Sequence, residues 1–339
     1  DLLREACRVS LWDFVRHAFG VQANPRGHWL TPRVHKPICD FLEERARAWL
    51  ARRALHQQGR EKLMVMVPRG FGKTVCITKA FPMWLSLQDT DLAVVIDSES
   101  ATKAVEFLSS IKTVMEGGDP YALWSWLYGN WCDPNRLWTK AQFTHACRKQ
   151  LSLTEPSFDT CSVETGATGS HPDVLILDDP ISQEKLRERG NWIELAVKHT
   201  NALIPALRTD SMMVVVGTPY TNNDVLNTLI ETDGIKEVHG MKMPEIFPRP
   251  SPKGQWSVYF LQARDSEGKT ILPEAWSQEE LDDYERKRPV DFAAQMMCTP
   301  GSGEHMPLTE EQISNLYCER KDLPTVMHYI SLHSIAADH

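Results

Sequence analysis

The 339-residue chain lacks the long apolar run that a membrane-spanning helix requires. No stretch approaches the roughly 20 consecutive apolar residues that cross a bilayer. The first residues also lack the basic region and short apolar core of a secretory signal, and no internal repeat or low-complexity tract is visible. What is present is an ordinary globular composition, with 42% hydrophobic and 24% charged residues. We therefore expect a folded protein with no membrane partner.

Cysteines at metal-binding spacing are also missing. The eight cysteines are scattered without a Cys-x-x-Cys pair, which is typical of reduced thiols in a cytosolic protein. One zinc cluster can be imagined, but its spacing matches no standard site and we disfavour it. Its members would be Cys132, His145, Cys147 and Cys161.

An excess of positive charge is lacking too, because the formal net charge is −8 at neutral pH. This argues against a protein that coats nucleic acid through a broadly basic surface. A few lysines and arginines that line a pore can still bind phosphates while the outside stays negative.

The most informative segment that is present is a glycine-rich loop between an apolar strand and a helix. Its residues are Pro68, Arg69, Gly70, Phe71, Gly72, Lys73 and Thr74. Backbone N–H groups of such a loop face a nucleotide polyphosphate, while Lys73 reaches the β and γ oxygens and the Thr74 hydroxyl ligates Mg²⁺. Val67 stands where the usual loop begins with glycine, and Gly70 would supply the backbone freedom instead. The alternative is an ordinary strand-turn-helix corner with an exposed lysine.

A second segment ends an apolar run with two adjacent carboxylates. Residues 173–178 read as a central parallel strand that is buried on both faces. We expect Asp178, at its carboxyl end, to hold Mg²⁺ and Asp179 to polarise the attacking water. The alternative is a core strand followed by a solvated acidic turn. Because the loop and the acidic strand occur together in this order, we favour a site that binds and hydrolyses a nucleotide with Mg²⁺.

A third apolar run, residues 211–216, is followed by Gly217 and Thr218. A polar residue at that strand end would lie beside the γ-phosphate and sense hydrolysis. The alternative is that Thr218 caps a helix beginning near Asn222.

The alternation of strands and helices predicts an α/β fold, a P-loop parallel sheet with helices on both faces. Strands are expected near 62–67, 92–97, 151–154, 159–164, 173–178 and 211–216, and helices near 73–87, 100–116, 183–207, 223–232 and 277–287. The predicted domains are an N-terminal helical segment (1–58), the ATPase core (59–240), a linker or lid (241–325) and the incomplete start of a further domain (326–339).

Tryptophans divide between two predicted roles. Those at 124, 126, 131 and 138 are interpreted as core packing rather than base stacking. For the segment from Trp29 to Pro37, contact with an adenine ring and packing of the tryptophan on the core are equally favoured.

Four motifs together resemble the large terminase subunit of tailed bacteriophages, the motor that pumps DNA into a preformed capsid. They are PRGFGKT, LILDDP, VVVGTPY and FAAQMMCTP. The resemblance implies a RecA-like ATPase of the additional-strand, conserved-glutamate type, followed by a ribonuclease H-like nuclease of which only a truncated start is present. It also implies ATP and Mg²⁺ as cofactors. The implied partners are double-stranded DNA, the portal protein, the small terminase subunit and other copies of the chain in a ring, pentameric by resemblance. The implied location is the portal vertex in the bacterial host cytoplasm, outside the mature virion.

By this resemblance Arg69 stabilises the transferring charge, and Asp179 stands where the family usually has a glutamate base. The segment before the acidic strand lacks the family's arginine. An arginine acting from a neighbouring subunit is therefore sought among Arg136, Arg148 and Arg208, which the sequence does not rank. Two other functions stay open: a helicase-like DNA-dependent ATPase and a regulatory ATP-binding switch.

Overall fold

The computed structural model describes residues 1–20, 30–117, 122–165, 171–181, 185, 191–222 and 224–301. The C-terminal strand start predicted at 326–339 lies outside them. Among the described residues, no helix combines the length and apolarity needed to span a bilayer.

The N-terminal segment is helical, as predicted. It contains α1 (Leu2–Val9), α2 (Leu11–Asp13), a π-helical stretch (Phe14–Gly20) and the long α3 (His35–Ala54). Their apolar side chains fall at helical spacing and are buried; they include Leu11, Phe14, Val15, Ile38, Phe41 and Leu42. These helices therefore pack on the rest of the molecule through one continuous apolar surface.

The centre of the molecule is an eight-stranded sheet. Its strands are β1 (Glu61–Met66), β2 (Val94–Ser98), β3 (Gln142–Phe143), β4 (Phe158–Ser162), β5 (Val174–Asp178), β6 (Met212–Gly217), β7 (Ile235–Gly240) and β8 (Trp256–Phe260). They lie in the order β3-β4-β2-β5-β6-β1-β8-β7. All neighbours pair in parallel except β3, which is antiparallel to β4 at one edge. Strands β1, β2, β5 and β6 are buried along their whole length, as expected of strands covered on both faces.

Helices cover both faces of the sheet. After the loop that follows β1, the chain forms a π-helical stretch (Thr74–Ala80) that continues as α4 (Phe81–Gln88). The later helices are α5 (Ala101–Glu116), α6 (Ala122–Tyr128), α7 (Trp192–Ala206), α8 (Val225–Asp233), α9 (Gln278–Lys287) and α10 (Pro289–Gln295). Two apolar clusters result, one on each face of the sheet.

Helix starts follow the sequence signals closely. The Ser100 hydroxyl accepts from the N–H of Lys103 at the start of α5. Ser277 and Glu280 form a reciprocal capping box at the start of α9, which lies within one residue of the predicted 277–287.

One predicted strand is wrong. Residues 151–154 form turns, and Leu151 is exposed. The Asp91 carboxylate accepts from the N–H groups of Lys149 and Gln150 at 2.7 and 2.9 Å, which fixes this segment as a loop. An alternating Leu-Ser-Leu-Thr pattern resembles a strand, but side-chain hydrogen bonds to the backbone override it here.

Two strands were missed. Strands β7 and β8 come from residues 235–260, where no strand was predicted, and β8 lies directly beside β1 in the sheet. The prolines between them dominate the local pattern, while β8 is only five residues long. The sheet therefore continues into the segment that was interpreted as the start of a linker or lid.

The tryptophan prediction is confirmed for Trp124 and Trp131, which are buried and stack edge to face at 5.3 Å. It is wrong for Trp126, which is exposed. Trp138 is partly buried, and its indole N–H donates to Glu116 Oε1 at 2.8 Å.

Candidate functional site

The three motif-bearing strands end side by side at one edge of the sheet. β6 lies between β1 and β5, and all three run parallel, so their carboxyl ends are neighbours. In open α/β sheets, this edge is where ligands bind. The glycine-rich loop follows β1, the two carboxylates follow β5, and Gly217 and Thr218 follow β6.

The loop has a backbone that few residues other than glycine adopt. Gly70 and Gly72 have φ of 81° and 69°. Pro68 and Phe71 are buried, and Phe71 packs in the core beneath the loop, whereas Arg69 and Gly70 are exposed. The first helical residues then follow directly, with Val75 and Cys76 donating back to the carbonyl of Gly72 at 3.0 and 3.1 Å.

Several backbone N–H groups of this loop donate no hydrogen bond to any described residue. They belong to Gly70, Gly72, Lys73 and Thr74. Alternating left- and right-handed backbone that leaves N–H groups pointing into a concavity is an anion-binding arrangement, and the start of a helix adds a positive partial charge. The loop is thus chemically suited to hold phosphate oxygens.

Lys73 connects all three strand ends. Its buried Nζ donates to Asp179 Oδ1 at 2.8 Å and to Thr218 Oγ1 at 2.9 Å. The Thr218 hydroxyl in turn donates to the carbonyl of Val67 at 2.9 Å. Thr218 does not cap the next helix, because Asp224 occupies that position at the start of α8. The predicted lysine, base and sensor residues therefore lie in one hydrogen-bonded group.

Asp178 is fully buried beneath this group. Its Oδ2 accepts from the Thr78 hydroxyl at 2.6 Å, while Oδ1 accepts no hydrogen bond from any described residue. Burial, followed by repulsion from Asp179, raises the pKa of Asp178 to about 6, although Lys73 and the hydroxyls of Thr78 and Thr74 oppose the shift.

These groups fit the Mg²⁺ that the sequence predicts. Mg²⁺ prefers hard oxygen ligands and is commonly held by one carboxylate together with a hydroxyl, waters and phosphates. Asp178 offers a buried oxygen without a partner, and the Thr74 hydroxyl lies close enough to Asp178 to lower its pKa. Thr74 and Asp178 are therefore the residues that would hold the ion.

Asp179 has an unusual backbone for a residue with a side chain. Its φ is 45°, in the left-handed region, and its N–H donates to the carbonyl of Val216 at 2.9 Å. A methyl group on Gly217 would lie 3.3 Å from Asp179 Oδ1, so only glycine leaves this space open. The left-handed backbone of Asp179 is strained, and strain of this kind costs of order 1–3 kcal/mol and is concentrated at functional sites.

Arg69 is exposed on the loop, and its N–H donates to the carbonyl of Gln295 at 3.0 Å. Gln295 is the buried last residue of α10 and belongs to the FAAQ segment. This hydrogen bond connects the glycine-rich loop to the C-terminal helices. Trp276 lies on the same side, with its indole nitrogen 3.0 Å from where a Gly70 side chain would begin.

The three arginines considered as trans-acting candidates are all engaged within the chain. Arg136 donates to the carbonyl of His145 at 2.8 Å and pairs with Asp133 at 3.1 Å. Arg148 is buried and donates to the carbonyls of Glu155 and Asp91. Arg208 lies 3.7 Å from Asp173, at the opposite edge of the sheet from the loop.

The segment proposed to contact adenine is only partly described, because Trp29 lies outside the described residues. His35 lies against the loop: its Nδ1 accepts from the N–H of Thr31 at 2.9 Å, and its ring also hydrogen bonds the backbone of Phe71. Burial lowers the pKa of His35 to about 4, so it is neutral at physiological pH.

Sequence reasoning missed several residues of this site. Thr78 follows Thr74 by one helical turn, a spacing that would have placed both hydroxyls on one face. Gln295 belongs to the FAAQMMCTP motif, but the sequence assigned no role to its side chain or backbone. Trp276 has no local signal, since only the tertiary structure brings it to the loop.

Comparison with known proteins identifies no relative. No protein-family model matches the chain, and no curated protein matches it. What the site does has to be inferred from its own geometry and chemistry.

Proposed function

We propose that this protein hydrolyses ATP with Mg²⁺ at the carboxyl edge of the sheet. One observation carries the proposal: the buried ammonium of Lys73 joins the ends of β1, β5 and β6 through Asp179 and Thr218. An ordinary strand-turn-helix corner with an exposed lysine would not bury that charge. A solvated acidic turn would not hold Asp178 fully buried beside it.

Each residue has a role in this proposal that follows from its position. The free N–H groups of the loop and Lys73 bind phosphate oxygens, which carry the negative charge that the N–H cluster attracts. Thr74 and Asp178 hold Mg²⁺, which neutralises charge on the phosphates when it is bound.

Asp179 is the proposed general base. Its Oδ1 accepts a hydrogen bond from Lys73 Nζ at 2.8 Å. A phosphate that drew the ammonium away would free this carboxylate to accept a proton from water. Thr218, which shares the same ammonium, would register the change and pass it to β6. We propose that Arg69, which is exposed on the loop, neutralises charge on the outer phosphate.

The strand order supports the type of ATPase. An additional strand, β6, separates the loop strand β1 from the acidic strand β5. This is the arrangement for which the additional-strand ATPases are named. Together with the four motifs, it supports a DNA-packaging motor of the large terminase type. Its partners would be double-stranded DNA, the portal protein, the small subunit and further copies of the chain in a ring at the portal vertex.

The test is Mg²⁺-dependent ATP hydrolysis by the full chain and by two lysine variants. Lys73 and Lys62 are matched, because both lie next to β1 or in it and both side chains are 8% exposed. We expect Lys73→Ala to abolish hydrolysis while the protein stays folded, and Lys62→Ala to hydrolyse ATP at the normal rate per folded molecule. Normal hydrolysis by Lys73→Ala would refute the proposal.

Specific activity measured against protein concentration tests the ring. Activity that rises with concentration is expected if a neighbouring subunit completes the site. Constant specific activity would mean that Arg69 of the same chain suffices and that the ring is not needed for chemistry.

A regulatory ATP switch is the second candidate, and Asp179 favours it because the family that the four motifs resemble usually has a glutamate base at this position. The two functions differ in what Asp179→Asn does. In the motor it traps bound ATP unhydrolysed, whereas in the switch it leaves the slow turnover nearly unchanged.

A further inference from the structure

Three side chains with metal-binding atoms converge inside the molecule, away from the loop. Asp97 is on β2, Cys161 on β4 and His199 on α7. Cys161 Sγ lies 3.1 Å from Asp97 Oδ1, and His199 Nε2 lies 2.9 Å from the same oxygen. All three ligand atoms lie within 4.8 Å of one another, and all three residues are buried.

The hydrogen bonds among Asp97, Cys161 and His199 leave one buried carboxylate oxygen without a partner among the described residues. Both short contacts use Asp97 Oδ1, while Asp97 Oδ2 is fully buried and accepts no hydrogen bond from any described residue. A buried carboxylate oxygen without a partner is costly, so it indicates a ligand. The proposed ATP site does not use any of the three residues.

The donor set selects the class of metal. A thiolate, an imidazole and a carboxylate are the ligands of Zn²⁺, whereas Mg²⁺ and Ca²⁺ prefer oxygen alone. Tetrahedral Zn²⁺ with bond lengths of about 2.0–2.3 Å holds its ligand atoms roughly 3.3–3.7 Å apart. The observed separations of 2.9 and 3.1 Å are within a few tenths of an ångström of that range.

We propose that Asp97, Cys161 and His199 form a Zn²⁺ site that is independent of ATP. Cys161 Sγ, His199 Nε2 and one carboxylate oxygen of Asp97 provide three bonds, and a water molecule completes the tetrahedron in the fourth position. On binding, the Cys161 thiol loses its proton to solvent as the zinc–sulfur bond forms, and His199 binds as the neutral imidazole. Binding therefore releases one proton and weakens as the pH falls.

Such a site would fasten α7 to the sheet next to the catalytic edge. Ser98 follows Asp97 in β2, and its hydroxyl donates to the carbonyl of Asp178 at 3.0 Å. The zinc site is thus one residue along the strand from a direct contact with the acidic strand. The zinc cluster considered from the sequence is not formed, because Cys161 has these partners instead of Cys132, His145 and Cys147.

Cobalt titration of the metal-stripped full chain tests the site directly. We expect one equivalent of Co²⁺ to produce the thiolate-to-cobalt charge-transfer band and the intense visible bands of a tetrahedral ion, and one equivalent of Zn²⁺ to abolish both. A chain that shows neither band and retains less than stoichiometric Zn²⁺ after dialysis would overturn the proposal, leaving only a hydrogen-bonded cluster.

Two cysteine variants assign the ligand. Cys161→Ser keeps a hydroxyl in place of the thiol and is expected to lose the charge-transfer band and to weaken Zn²⁺ binding by at least the roughly 10–100-fold that the loss of an outer-sphere partner costs. Cys7→Ser is the matched control, since Cys7 is also buried and its thiol donates to the carbonyl of Asp13, away from the three proposed ligands. Equal Zn²⁺ affinity for the two variants would contradict the assignment. His199→Gln should keep the charge-transfer band if it binds Co²⁺ at all, but with weakened affinity.

Discussion

The two edges of the central sheet treat buried charge in opposite ways. At the amino edge, Asp173 precedes β5 and lies 2.7 Å from Arg53 and 3.7 Å from Arg208, so two cations serve one carboxylate. At the carboxyl edge, five residues later, Asp179 pairs with Lys73 at 2.8 Å, whereas Asp178 forms no ion pair with any described residue.

The two edges also differ in the partners of individual carboxylate oxygens and of lysines. Asp173 and Asp178 each have one oxygen that accepts a hydrogen bond and one, Oδ1, that accepts none from the described residues. They differ because Asp173 Oδ1 lies 2.7 Å from Arg53, whereas Asp178 forms no ion pair in the described part of the chain. Lys62 at the amino edge donates to Asp233 and Gln255 at 2.8 and 2.7 Å, remote from any glycine-rich loop. At the amino edge, therefore, both Asp173 and Lys62 have oppositely charged partners. At the carboxyl edge one carboxylate has no ion pair within the described ranges, and this excess of negative charge suits a bound cation. This difference separates a structural ion-pair group from a candidate active site.

The largest expected effect comes from replacing two aspartates that are similar in exposure and pairing but lie at opposite edges of the sheet. Asp179 and Asp210 are both 30% exposed and both pair with one cation, but at opposite edges. We expect Asp179→Asn to lower the rate of ATP hydrolysis by about 10²–10⁴-fold, because it removes the proposed general base, while ATP still binds. Asp210→Asn should leave the rate unchanged. Single-turnover hydrolysis and nucleotide retention on a filter measure the two quantities.

The next effect depends on pH. Asp178 has its pKa raised to about 6 in the folded protein, so its ionised form opposes folding. Below pH 4 the carboxyl is protonated in both the folded and the unfolded chain, and the pKa shift has no effect on stability. As the pH rises from about 4 to about 6, the free energy of unfolding falls by up to about 3 kcal/mol because of this group, and above that range the loss stays constant.

We therefore expect Asp178→Asn to be as stable as the wild type at pH 4 and more stable at pH 7.5, without Mg²⁺. Urea unfolding at both pH values measures the difference. Asp224, also buried with its pKa raised to about 6, is the control: Asp224→Asn should show a similar pH trend but keep ATP hydrolysis, whereas Asp178→Asn should lose it. An Asp178→Asn variant that is less stable than the wild type at pH 7.5 would show that the carboxyl edge is as fully paired as the amino edge.

Asp173→Asn should act in the opposite direction. It leaves Arg53 and Arg208 without their shared carboxylate, and we expect it to lower the free energy of unfolding by about 2 kcal/mol at pH 7.5. Hydrolysis per folded molecule should not change. The same urea experiment measures this loss, and an unchanged stability would mean that water screens these ion pairs completely.

The smallest effect concerns the loop backbone. Gly70 and Gly268 have nearly equal φ, 81° and 78°, and only Gly70 lies near the proposed phosphate site. Alanine at either position should cost about 1–2 kcal/mol, because a side chain disfavours this backbone. Only Gly70→Ala should also weaken ATP binding, since its methyl group would lie 3.0 Å from the Trp276 indole nitrogen, whereas the space beside Gly268 is open. Calorimetric titration with ATP separates the two variants.

Much of the proposed site was predictable from short segments. A buried strand followed by glycines, Lys73 and Thr74 is a local pattern, and so is an apolar run that ends in Asp178 and Asp179. Parallel strands bring such ends to one edge, so their meeting with Thr218 could be inferred before any contact was known. The contacts of Thr78 and Gln295 with this site could not, because a hydroxyl or carbonyl has no sequence pattern that states its partner.

The missed strands and the false one have a common cause. Residues 151–154 alternate like a strand but are held in turns by Asp91, whereas β8 is short and follows a proline-rich segment, yet fills a place in the sheet beside β1. Local propensity is weak for short segments, and pairing with a neighbouring strand decides whether they extend.

The sequence alone determined the elements that depend on periodicity and on residue type at fixed spacing: the buried central strands, the N-terminal helices and the glycine-rich loop. The tertiary structure alone decided which distant groups meet. His199 reaches Asp97 across 102 positions, and Lys73 reaches Asp179 across 106. The order of the strands fixes both encounters, because hydrogen bonds and charges act over a few ångströms of space, whatever the separation along the chain.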